Sequence, residues 1–253
     1  MLVDELIEQM VALEAELQAC GKRLEARSDG EALHDLRVAV RRLRSILRPL
    51  RDLPDIGALE EVAAAVGHRS TSLRDTEVLI QELAARERPE LGESRRQGLE
   101  AGYDALLAGP EWLLLRNALA AWPAICREAR REGKLKGLGK HIRKELAKQR
   151  RKLGRELRDP NHDRHRLRVR IKRVRYAAEV YPDLSDLPDK APKRLKEAQS
   201  ALGDWHDCIQ WLQRAGQEAD LQPLCTAWRQ TLVDAEQRSD QALKPLLKAF
   251  PAD

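Results

Sequence analysis

Apolar residues recur along this chain at spacings of three and four. Leu2, Leu6, Met10, Leu13 and Leu17 form one such stripe, the inward face of an amphipathic helix. Proline and glycine punctuation divides the sequence into nine runs of this kind, at about 2–28, 31–52, 55–87, 91–108, 110–132, 138–158, 161–181, 189–215 and 223–249. Pro54, Pro89, Pro110, Pro160 and Pro188 fall between runs or at their edges, where a missing N–H costs little. Pro123 and Pro245 fall inside runs and are expected to kink or break them. Leu, Ala, Arg and Glu dominate while β-branched residues are sparse, so the expected fold class is all-α.

The chain also repeats itself. His34-Asp-Leu-Arg-Val-Ala-Val-Arg-Arg-Leu-Arg44 aligns with His165-Arg-Leu-Arg-Val-Arg-Ile-Lys-Arg-Val-Arg175 at an offset of 131, with six of eleven positions identical. A weaker match at offset 129 sets Leu73-Arg74-Asp75-Thr-Glu-Val-Leu-Ile80 against Leu202-Gly203-Asp204-Trp-His-Asp-Cys-Ile209. An offset near half the chain length predicts two halves, about 1–130 and 131–253, of about four helices each. A duplicated four-helix bundle is the simplest architecture that follows.

Composition narrows the class. With 253 residues and 42% hydrophobic content the chain is long and apolar enough for a real core. No stretch approaches the ~18 apolar residues that span a bilayer, and MLVDELIEQM carries acids where a secretory signal carries cations, so a cytoplasmic location is expected. Cys20, Cys126, Cys208 and Cys225 form no Cys-x-x-Cys pair and read as reduced thiols; no metal site or cofactor is signalled.

Charge changes the picture more than composition does. The net +5 is a sum of opposed blocks: −5 over residues 1–33, +5 over 34–51 and +14 over 131–175. Within the basic blocks, His34, Arg37, Arg41, Arg44 and Arg48 fall within an arc of about 80° on one helix face. They lie beside the core stripe of Leu33, Leu36, Val40, Leu43, Leu47 and Leu50, at the shoulder of the helix. His165, Arg168, Lys172 and Arg175 repeat the spacing, with Glu179 where the first stripe has Arg48. A third run is His141, Lys144, Lys148, Arg151 and Arg155. Solvated helix faces interleave opposite charges, because i,i+4 pairs of opposite sign help by roughly 0.2–0.5 kcal/mol and like pairs cost as much. Stripes of four or five cations carry that cost until a polyanion removes it. Arginine suits bidentate contact with phosphate oxygens, and a histidine flanked by arginines protonates more readily once an anion is bound.

These segments, with Leu73-Arg-Asp75 and Gln199-Ser-Ala-Leu-Gly-Asp204-Trp-His206-Asp207, resemble the CHAD family, the conserved-histidine α-helical domain. The motifs occur in the family's order over nearly the whole chain. The resemblance implies a single domain over 1–253, built of two antiparallel four-helix bundles related by a pseudo-twofold axis around a basic cavity. It implies binding of inorganic polyphosphate without catalysis, and association with polyphosphate granules. Carried over position by position, it assigns ligand contacts to His34, Arg37, Arg41, Arg44, His165, Arg168, Lys172, Arg175 and His206. Lys144, Lys148 and Arg151 join them on local spacing and on the family's habit of a basic helix, Arg48 and His141 join on stripe spacing, and Lys196 completes the candidate set. Asp75, Asp204 and Asp207 read as structural partners of stripe arginines. No segment resembles the triphosphate-processing CYTH domain that accompanies some members, which predicts a stand-alone member.

Three alternatives compete with that reading. His34-Asp35, His162-Asp163 and His206-Asp207 are dipeptides of the kind found in metal-dependent HD phosphohydrolases. Adjacent helical residues point about 100° apart, however, and a dense guanidinium field repels a divalent cation unless phosphate bridges them. Nucleic-acid binding fits a pI near 9.1, but only Tyr176 among nine aromatics sits within a basic stripe to stack a base. A membrane-surface role needs an exposed apolar face, and these faces are committed to a bundle core. Each of the five tryptophans is expected in the core, with Trp205 as a candidate for the cavity rim; His68 and His162 read as surface residues.

Overall fold

The computed structural model describes residues 2–53 and 56–250. They form ten α-helices and three short 3-10 turns, with no strand among them. The helices are α1 (Leu2–Glu25), α2 (Ala32–Leu47), α3 (Ala58–Arg69), α4 (Thr71–Ala85), α5 (Pro89–Ala108), α6 (Pro110–Arg131), α7 (Leu138–Arg158), α8 (Arg164–Val180), α9 (Ala191–Ala215) and α10 (Cys225–Ala249). The expected all-α class is what the chain adopts, and eight of the nine runs each become one helix. Pro54 lies outside the described residues.

The run 55–87 divides at Ser70. This serine is fully buried, and its hydroxyl donates to the carbonyls of Val66 at 3.0 Å and Gly67 at 3.2 Å. Arg37 Nη1 donates to the Gly67 carbonyl at 3.0 Å and to Ser70 Oγ at 2.7 Å. A short hydroxyl and a guanidinium thus satisfy the carbonyls at the end of α3, and α4 starts afresh. Pro123 and Pro245, expected to kink or break their helices, are carried within continuous α6 and α10. Buried Leu119, Trp122 and Cys126 flank Pro123, and buried Leu243, Leu246 and Ala249 flank Pro245. Packing on both sides outweighs the ~3 kcal/mol that an interior proline costs. The Pro245 carbonyl also accepts from Arg194 Nη1 at 2.8 Å.

The chain separates into two compact units, one ending at Ile142 and the other beginning at Arg143 within α7. In the first unit α1 packs on α2 and α6, α2 on α3, and α3 on α6, so these four helices close a ring. Its interior holds Leu6, Met10, Leu13, Leu36, Leu43, Ile46, Val66, Leu119 and Trp122, each contributing roughly 1.5–3 kcal/mol or more of burial. Helices α4 and α5 pair with each other, and α5 also meets α1 and α6. Gly21 matters here: a Cβ on it would come within 2.8 Å of the Trp112 ring, so only glycine lets that indole lie against α1.

In the second unit, Leu153 and Leu157 of α7, Leu167, Ile171 and Val174 of α8, Leu195, Ala198 and Leu202 of α9, and Leu243 and Leu246 of α10 share one core. Asp163 caps α8, its carboxylate accepting from the His165 amide at 2.8 Å. All four cysteines are buried free thiols. Trp112, Trp122 and Trp228 are buried as expected, whereas Trp205 and Trp211 are half-buried.

Candidate anion-binding site

Helix α2 buries Leu33, Leu36, Val40, Leu43 and Leu47, which turns His34, Arg37, Arg41, Arg44 and Arg48 to half-buried positions at its shoulder. The stripe then divides by partner. Glu60 of α3 takes both distal cations: Arg44 Nε donates to Glu60 Oε1 at 3.0 Å, and Arg48 Nη2 lies 3.5 Å from the same oxygen. Arg37 serves the α3–α4 junction through Nη1, and burial followed by the Arg41 charge pushes it down to about 10 despite the opposing pull of Asp75. His34 is held below its ordinary value by burial, then by the guanidinium groups of Arg74 and Arg41. His34, Arg37, Arg41 and Arg74 therefore form one cluster of groups that feel each other's charge.

The second unit builds a comparable cluster from α8 and α9. The His165 and His206 rings lie 5.3 Å apart, tilted by 50°. Burial, then Arg168, His165 and Lys172, pushes His206 down to about 4, so its imidazole is neutral at pH 7. Trp205, with its ring centroid 6.4 Å from that of His206, buries an indole N–H that has no hydrogen-bond partner among the described residues. Arg175 ends the stripe differently: its Nη2 pairs with Glu179 Oε1 at 2.7 Å and its guanidinium lies 4.8 Å over the Tyr176 ring. The intrusion of Glu179 foreseen in the sequence thus takes one cation of the second stripe.

The other candidates spread out. His141 Nε2 lies 2.8 Å from the Pro49 carbonyl. Lys144 and Arg151 are exposed, and Lys148 sits 3.5 Å from Glu145 of its own helix. Lys196 is exposed on α9, ten residues before His206 and so about 15 Å from it along the helix axis. Asp204 lies 3.9 Å from Arg238 of α10, which belongs to no stripe, in place of the stripe arginine expected for it.

Sequence reasoning missed three carboxylates that decide which cations are available. Glu60 neutralises the end of the α2 stripe. Glu156, buried on α7 and already subtracted as one charge in the +14 block, binds both Arg166 and Arg170 of α8. Glu77, buried on α4, holds Arg74, its Oε2 accepting from Nη1 at 2.8 Å. All three act across helices or from buried positions, so spacing within a stripe gives no sign of them.

Side chains of the His-Asp dipeptides have other partners. Asp35 pairs with Arg23 at 2.8 Å, and His162 Nδ1 lies 2.8 Å from the Asp159 carbonyl. Among the described residues no three or more His, Cys, Asp or Glu side chains gather as metal ligands, and no helix is long and apolar enough to cross a membrane.

Among curated proteins none matches the chain. Among solved structures, the crystal structure of the CHAD domain from the plant Ricinus communis is similar with a TM-score of 0.68 and 22% identity, over 99% of this chain and 91% of that one. That likeness establishes the fold. The family model for the CHAD domain matches residues 9–216, which include both histidine-led stripes and the Asp204–His206 segment. The chain belongs to the CHAD domain family.

Proposed function

We propose that this protein binds inorganic polyphosphate through its two histidine-led clusters and carries out no chemistry of its own. The twin bundles and the basic groove between them that the family resemblance implies are part of this proposal. The observation that carries it is the gathering, in each unit, of histidine with arginine or lysine groups where burial first, and neighbouring cations second, raise the cost of holding charge. Arg37 is driven down to about 10 and His206 to about 4. An anion placed among them offsets the share of that cost that comes from neighbouring cations. A polymer of phosphates supplies many such charges and releases counterions along its length, so affinity should grow with chain length and fall as salt rises.

The aromatic residues support this choice over a nucleic-acid strand. Tyr176 is covered by Arg175, Tyr103 is bonded to Glu77, and Trp112, Trp122 and Trp228 are buried. Trp205 and Trp211 are half-buried, so among the described tryptophans none is a fully exposed stacking platform for bases.

Binding should be coupled to protonation. In the free protein burial, then Arg168, His165 and Lys172, push His206 down to about 4; bound phosphate offsets the cations' share and raises that value. Affinity for long-chain polyphosphate is therefore expected to rise several-fold as pH falls from 8 to 5, and His206→Gln to remove most of the gain. Equal affinity at both pH values would contradict the proposal. The free protein has the opposite sign. A histidine lowered from 6.5 to about 4 by folding contributes its full stability above pH 6.5 and loses it as pH falls toward 4.

A further inference from the structure

Arg74 stands outside both stripes, but it lies on α4 one turn past Ser70: the Arg74 amide donates to the Ser70 carbonyl at 3.2 Å, and Arg37 of the first stripe donates to the Ser70 hydroxyl at 2.7 Å. After burial, the Arg74 charge is the largest influence on His34, ahead of Arg41 on the histidine's own helix. It also acts on Arg37. Its guanidinium is not loose. Glu77, one turn along α4 and buried, uses both carboxylate oxygens: Oε2 accepts from Arg74 Nη1 at 2.8 Å, and Oε1 accepts from the Tyr103 hydroxyl of α5 at 2.6 Å. Burial and that bond raise the Tyr103 phenol far above its ordinary value, so it remains a donor. The Tyr103 ring is in turn held by Arg27, whose guanidinium lies 5.3 Å above it and whose Nη2 donates to Asp104 Oδ1 at 2.7 Å. A buried carboxylate with both oxygens occupied fixes one nitrogen of Arg74 and leaves the rest of its donor fork oriented.

The internal repeat gives this arrangement a counterpart. At offset 129, Glu77 corresponds to His206 and Arg74 to Gly203. In the second unit the group from that register beside the stripe's leading histidine is the His206 imidazole, 5.3 Å from His165. In the first unit it is a guanidinium, carried one turn earlier and held by the residue that replaces the histidine. Each unit thus carries a nitrogen donor from a second helix: the His206 imidazole beside His165, and the Arg74 guanidinium one turn past the Ser70 that Arg37 engages.

We propose that Arg74 is a further phosphate-binding residue of the first unit, and that Glu77 and Tyr103 are its positioning residues. The inference rests on the polyphosphate reading. It makes the first unit's second-helix donor a permanent cation, where the second unit has a group that must take up a proton.

The test is a titration of the full chain with linear polyphosphate of defined length across a series of salt concentrations. Arg74→Ala is expected to weaken binding about tenfold and to flatten the dependence of log Kd on log salt by about one. Because Arg74→Ala leaves a buried charge on Glu77, the double variant Arg74→Ala with Glu77→Gln is measured too, and should bind as weakly while staying folded. Arg74→Lys should recover the salt slope but only part of the affinity. Tyr103→Phe should weaken binding about threefold with the slope unchanged, the mark of a positioning residue. If the Arg74 variants lose thermal stability but keep wild-type affinity and slope, the network is structural and this proposal is overturned. Failure of the wild-type protein to bind would instead remove the polyphosphate reading itself.

Discussion

Replacing Arg41 and Lys172 together by alanine is expected to weaken polyphosphate binding thirtyfold or more and to flatten its salt dependence by about two. These residues occupy corresponding places in the two repeats, and each lies half-buried at the shoulder of its helix, within its histidine-led cluster. Removing one charge-assisted hydrogen bond to phosphate costs about 1–3 kcal/mol. A phosphate chain that engages both stripes is deprived of two, roughly 2–6 kcal/mol in all. The single variants separate the two contributions. If one of them alone equals the double variant, only one stripe binds, and the duplicated arrangement has no role in recognition. The core beneath is untouched, since Val40 and Ile171 provide the buried packing beside these positions. Unfolding temperature should therefore change little.

Glu156→Ala should have the reverse profile, a large loss of stability with little loss of binding. The Glu156 carboxylate is buried where α7 meets α8 and binds the guanidinium groups of Arg166 and Arg170. Removing one member of a buried ion cluster typically costs 3–5 kcal/mol. Arg166 is largely exposed and recovers hydration, so about 2–4 kcal/mol is expected here. For a protein of this size that lowers the unfolding temperature by roughly 5–15 °C. Measured where the variant remains folded, polyphosphate affinity should hold or rise slightly, because two cations are released. An unchanged unfolding temperature would show that Glu156 does not hold α8, and weaker binding would place Arg166 and Arg170 in the ligand site.

The contrast between these two variants marks how much of the site the sequence reveals. Periodicity places Leu36, Val40 and Leu43 in the core of α2, and the same arithmetic sets His34, Arg37 and Arg41 beside them. Both are local properties of one helix, and the structure agrees with them. The repeat at 131 likewise locates α8; His206 enters through the family motif, and the structure sets its ring 5.3 Å from that of His165. Which cations remain available depends on carboxylates from other helices. Glu60 takes Arg44 and Arg48, and Glu156 takes Arg166 and Arg170. A charge sum over residues 131–175 subtracts Glu156 as one negative charge but is blind to its engaging two arginines of α8 at once. The division at Ser70 is hidden for the same reason. A lone serine in a helical run is ordinary, and it ends α3 because it is buried and because Arg37, 33 residues earlier, reaches the carbonyl of Gly67 and its own hydroxyl. Pro123 and Pro245 illustrate the converse: of the kink or break expected at each, the break does not occur, because packing on both sides keeps α6 and α10 continuous.

The central claim is that paired, histidine-led cation clusters recognise a phosphate polymer rather than polyanions in general. Its most direct test is an equilibrium titration of the wild-type protein with long-chain polyphosphate at low and moderate salt, with duplex DNA as competitor at equal phosphate concentration. Tight binding that weakens steeply with salt and that DNA does not displace is the predicted result. Binding that DNA displaces at equal phosphate concentration would contradict it, and would make these stripes a general polyanion surface.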